Sequence, residues 1–210
     1  MVEHVLIPDA DRHEPKHAST ALDRQALVSN GDGTTEFSFI DYDDLTNKPT
    51  LAGYRQVLYG SSNAATQAPA ATNTPLQVEF GANQTLPDVT LSAAGLLTFN
   101  TVGDYLLTIF LRLGRTSAAG TAIIFNRLLF NGVQTLNSNS VKLNDADIVV
   151  PFSTALTVRI TTPGTTFAVQ IMRDSAGINN GGLFQLSPSL AGWNTSPSAS
   201  LVVAKYLGNE

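Results

Sequence analysis

From Leu76 onward, short apolar runs recur between clusters of Gly, Asn and Pro: Gln77–Phe80, Leu96–Phe99, Tyr105–Leu113, Ala122–Phe130, Ala155–Ile160, Phe167–Met172 and Leu201–Leu207. Runs of this length, rich in Val, Ile, Thr and aromatics, read as strands, and their close spacing leaves no room for crossover helices. The pattern predicts an all-β, antiparallel sandwich over residues 76–210. Two kinds of strand are expected. Leu156-Thr157-Val158-Arg159-Ile160-Thr161 alternates and has one wet face. Tyr105-Leu106-Leu107-Thr108-Ile109-Phe110-Leu111 is apolar on both, so the face turned away from the core needs a cover, most simply another copy of the chain.

Charge is unevenly placed. Residues 1–75 carry ten acids and five bases, whereas residues 76–210 carry seven of each. All three histidines, His4, His13 and His17, stand at the N-terminal end, and the chain has no cysteine. The body thus lacks the imidazole and thiol groups that most often do acid–base, nucleophilic and metal chemistry near neutral pH. A protein that attaches and assembles is expected, with neither enzyme activity nor cofactor. Net charge of −5 and singly scattered bases argue against nucleic acid as a partner. No stretch reaches the length of a membrane span and no signal peptide is evident. Only 14% of residues are charged, which fits a surface partly covered by copies of itself.

The N-terminal part, residues 1–59, reads as an arm. Pro8 and Pro15 break any long helix there, and too few apolar residues precede Leu27 to build a core. A short helix over Ser19–Leu27, capped by Ser19, is one expectation. A hairpin is another: Gln25–Ser29 and Thr34–Ile40 flank Asn30-Gly31-Asp32-Gly33, whose residues tolerate the positive φ of tight turns. Residues 60–75, small and uncharged, read as a flexible linker.

Four groups of site residues follow. His13-Glu14-Pro15-Lys16-His17 matches H-E-x-x-H, but Pro15 between the two histidines is incompatible with a zinc helix, so no metal is assigned. With Ile7 and Pro8 it is read as an anchoring peptide. Tyr105, Leu107, Ile109 and Tyr206 are read as interface residues of a homotrimer. Asn179, Asn180 and Trp193 form a candidate receptor loop, although a lone Trp more often packs over a core edge. Asn144-Asp145-Ala146-Asp147 is read as a solvated turn rather than a Ca²⁺ loop.

Two resemblances supply the biological setting. Leu97-Thr98-Phe99, Val102-Gly103-Asp104-Tyr105-Leu106-Leu107, Phe130-Asn131-Gly132 and Leu201–Leu207 resemble the tumour-necrosis-factor/C1q-like trimeric jelly rolls of phage virion proteins. The arm is similar to N-terminal segments of phage head-decoration and fibre proteins in Ile7-Pro8-Asp9, His13–Lys16, Ala18–Ala21 and Ser29–Thr34. Tyr42–Pro49 is similar to a linker phrase of phage tail fibres. These likenesses imply a homotrimeric knob on a virion surface, bound to the major capsid protein or another virion protein. The alternative they imply is a tail-fibre knob that binds host surface glycans.

Overall fold

The computed structural model describes residues 25–29, 32–39, 53–62, 66–115, 121–144, 148–174 and 181–208. The chain divides into two compact units, Met1–Thr50 and Leu51–Glu210. In the first, β1 (Gln25–Ser29) and β2 (Thr35–Phe39) form the expected antiparallel hairpin, with Leu27 opposite Phe37. Gln25–Leu27, the described part of the expected helix, is thus strand: Leu27 and Val28 find cross-strand partners that a helix would not give them.

The second unit holds fourteen described strands. They are β3 (Gly53–Ser62), β4 (Thr66–Gln67), β5 (Leu76–Gln77), β6 (Gln84–Thr85), β7 (Val89–Leu91), β8 (Leu97–Phe99) and β9 (Gly103–Arg115). There follow β10 (Ala122–Phe130), β11 (Val133–Gln134), β12 (Asn139–Leu143), β13 (Ile148–Ile160), β14 (Thr166–Arg173), β15 (Gly181–Phe184) and β16 (Ala199–Leu207). One sheet runs β3–β16–β9–β13, with β15 and β4 continuing it beside the end of β9. The other runs β12–β10–β14–β8–β7–β6, with β5 on β14 and β11 on β10. The ladders nest: β3 pairs β16, β8 pairs β14, β9 pairs β13, and β10 pairs β12. First with last, second with seventh and so inward is the topology of a jelly roll.

Period-two alternation builds the core. Tyr105, Leu107, Ile109, Leu111 and Leu113 of β9 are fully buried, facing Ile124, Phe167, Val169 and Ile171 of the other sheet in one apolar cluster with Phe80, Leu91 and Phe99. Each such side chain contributes roughly 1.5–3 kcal/mol by leaving water. The turn from β10 to β11 uses Asn131 (φ 48°) and Gly132 (φ 76°), a two-residue hairpin loop of the favoured hand.

The boundary at residue 76 requires correction, and so does the flexible linker. Residues 53–62 are a full strand paired with β16, and residues 66–75 are strapped to the sandwich. Gln67 is buried, and its side chain imitates a strand partner. Its Oε1 accepts from the Glu79 backbone N–H (2.7 Å), while its Nε2 donates to the Glu79 carbonyl (3.0 Å) and to Ser198 Oγ (3.1 Å). Arg173 Nη2 donates to the Pro69 carbonyl (2.7 Å), and the Asn73 N–H to the Arg173 carbonyl (2.7 Å). The small residues reflect close packing instead of mobility. A Cβ on Gly60 would stand 2.7 Å from the Phe80 carbonyl oxygen and 2.8 Å from Leu91 Cδ2. Gln67→Ala is therefore expected to cost about 1–3 kcal/mol, because it removes both side-chain partners of the part-buried Glu79 backbone. Denaturant unfolding of the variant measures this, and an unchanged midpoint would contradict the strap.

Candidate interaction surfaces

Strand β9 is hydrogen-bonded along both edges, so its even-numbered side chains project from the middle of the outer sheet face. Registered rows cross that face: Leu106 lies beside Ala204 and Thr157, Thr108 beside Val202 and Ala155, Phe110 beside Ser200 and Ser153. No charged residue occurs in these three rows. Charge returns only at the ends. Arg112 closes one, its Nε buried without a hydrogen-bond partner. At the other, Arg159 Nε stands 3.8 Å from Asp104 Oδ1 and Tyr206 lies against Tyr54, ring centroids 5.3 Å apart. An uncharged, partly apolar strip on a sheet face is the kind of surface that protein contacts cover.

The expected interface residues sort by parity. Tyr105, Leu107 and Ile109 are not at a surface, since all three point into the sandwich core and are fully buried. Their even-numbered neighbours Leu106, Thr108 and Phe110 hold the outer positions instead. Tyr206 is 37% exposed on the outer face. The Tyr105 hydroxyl is satisfied internally, donating to the Thr101 carbonyl (2.9 Å) and lying 2.7 Å from Thr101 Oγ1.

That tyrosine belongs to a polar network which closes one end of the sandwich. Asp88 accepts from Arg55 Nη2 (2.9 Å), Lys205 Nζ (3.0 Å) and Thr101 Oγ1 (2.8 Å), joining β3, β16 and the turns around β7 and β8. Burial pushes the Asp88 pKa upward. Hydrogen bonds from Thr101 and Lys205, with the charges of Lys205 and Arg55, outweigh it and hold the carboxyl below its ordinary 3.8. Because the folded value is the lower one, the network's contribution is complete above about pH 5 and is lost as pH falls through 3.8 toward the folded value.

The chain between β15 and β16 makes a closed excursion. Leu186 and Ser196 exchange both backbone hydrogen bonds (3.1 and 2.8 Å), and Ser187 Oγ lies 2.9 Å from Thr195 Oγ1. At its tip Trp193 is 72% and Leu190 65% exposed. Trp193 is thus not the core-edge packing residue that a lone Trp usually is. Ile7, Pro8, His13, Glu14, Pro15, Lys16, His17, Asn179 and Asn180 lie outside the described residues, as do Asp145 and Asp147. Among the described residues no group of three metal-ligating side chains comes together.

The nested ladders define a jelly-roll sandwich. No protein-family model matches the chain, and no curated protein matches it. Among solved structures it is similar to Eiger TNF from S. frugiperda, at 14% identity over 75% of this chain and 95% of that one, with a TM-score of 0.44. It is similar to the globular domain of zebrafish complement 1qA protein (10% identity, 74% and 100% covered, TM-score 0.40). It is also similar to murine APRIL (17% identity, 73% and 99% covered, TM-score 0.39). At these values the likeness is one of overall architecture, and the fold assignment rests on this chain's own strand pairing.

Replacing Asp88 by Asn is expected to cost about 1–3 kcal/mol at pH 7 and to flatten the acid limb of the stability profile. Urea titrations between pH 3 and pH 7 measure both effects. Parallel profiles for the two proteins would show that Asp88 does not carry the network.

Proposed function

We propose that the protein is a homotrimeric structural component of a phage virion, a capsid decoration or head-fibre protein. Residues 1–50 serve as its anchoring arm, and the jelly roll, which begins with β3, is the projecting knob. The observation that carries self-association is the uncharged outer strip of Leu106, Thr108 and Phe110 with Val202 and Ala155. Copies arranged head to tail around a threefold axis cover such a strip with a closed, finite assembly. Anchoring draws its support from the phage-like phrases of the arm, including Tyr42–Pro49. Main-chain strand or peptide addition to capsid proteins would give affinity, and three linked arms would add avidity.

A second reading, a receptor-binding knob on a tail fibre, is favoured by the exposed Trp193 at the tip of a fastened excursion. Copy number per particle separates the two, hundreds for decoration and a few dozen or fewer for a tail.

Sedimentation of the full chain is expected to give the mass of three 22.3 kDa chains. Phe110→Glu should lower it to one chain with the β circular-dichroism spectrum retained. A monomeric parent protein would remove the trimer, and deletion of residues 1–24 without loss of particle binding would remove the anchor.

A further inference from the structure

Where the excursion between β15 and β16 returns to the sheet, a cavity of about 470 Å³ opens beside β3. Its lining is Tyr59, Ser61, Gln185, Asn194, Thr195 and Pro197, which includes neither an acid nor a base. The volume lies within the roughly 300–1,000 Å³ of small-molecule sites. The geometry points to a saccharide-binding site for an uncharged hexose or N-acetylhexosamine unit of a glycan.

An anion needs a cation or an aimed cluster of N–H groups, and a metal needs carboxylates or imidazoles; this lining offers none of them. An apolar ligand would leave polar walls unpaired on burial. A neutral polyol matches what is present. The planar amides of Gln185 and Asn194 each offer two donors and an acceptor, and among the described residues neither side chain is hydrogen-bonded. Neighbouring sugar hydroxyls can donate to and accept from such amides at once. The Tyr59 ring, 51% exposed, offers an aromatic surface for the apolar C–H face of a pyranose. Trp193 follows the same logic for a further ring, being exposed and adjacent in the chain to Asn194.

The walls are held before any ligand arrives. The paired Leu186 and Ser196 backbones and the Ser187–Thr195 contact close the excursion, and the Ser198 N–H donates to the Ser62 carbonyl (3.2 Å), fixing it to β3. Little ordering cost then falls on binding. Tyr59 and Ser61 lie on β3, two strands from β9, so the cavity stands at the margin of the sheet face rather than on its central strip.

This inference names the ligand class for the receptor-binding reading and rests on it. Its test uses the soluble full-length protein, so the outcome is separate from where the chain sits on a particle. The probes are gluco-, manno-, galacto- and chito-oligosaccharides beside sialylated and sulfated glycans, with binding followed by calorimetry and by shifts of the side-chain amide resonances. At least one neutral probe is expected to bind. Asn194→Ala and Gln185→Ala are each expected to weaken it tenfold or more at unchanged sedimentation mass, with Ser189→Ala as the neutral control. Binding of no probe, binding of acidic glycans alone, or neutral binding that survives both variants would overturn the site.

Discussion

Strand β9 is hydrogen-bonded on both edges and apolar on both faces, and the rest of the sandwich is arranged around that fact. Its odd-numbered side chains supply the middle of the core and so require a second sheet at a fixed distance. Its even-numbered side chains then stand on the opposite face, where Leu106, Thr108 and Phe110 remain only half-buried. The same thirteen residues thus build the core and line the outer strip on which self-association is proposed.

Polar contacts at the sandwich's margins add to the apolar core in holding the two sheets together. Asp88 ties β3 and β16 to the turns at one end. Gln67 joins β4 to the backbone of Glu79 in the segment that follows β5. These contacts replace backbone pairing where strands are too short or irregular to pair, and the Gln67 and Asp88 side chains at their centres are buried. The excursion that carries Trp193 is fastened by the same means, which lets an exposed aromatic stand on a rigid base.

The strands of the body were legible because their apolar runs end at Gly, Asn and Pro, and the runs at residues 105–113, 122–130 and 201–207 fall within β9, β10 and β16. The hairpin of residues 25–39 was legible from its turn. Strand β3 was missed because Gly60, Ser61 and Ser62 look like flexible chain, whereas their size lets Phe80 and Leu91 approach. The parity of β9 was misjudged for a different reason. When both faces of a strand are apolar, periodicity does not say which points inward, and a tyrosine such as Tyr105 suits either face. Only Thr101, brought close by the turn before β9, shows that this hydroxyl has an internal partner. The cavity beside Tyr59 had no local signal, since its walls come from segments more than a hundred residues apart.

The central claim is that the outer strip around β9 is covered in the assembled protein. The chain's natural lack of cysteine makes a direct measurement simple: maleimide reaction rates of single-cysteine variants Ala155→Cys, on the strip, and Ser189→Cys, on the open excursion. Coverage predicts that position 155 reacts at least tenfold more slowly than position 189 in the full-length protein. Equal rates at the two positions would contradict it.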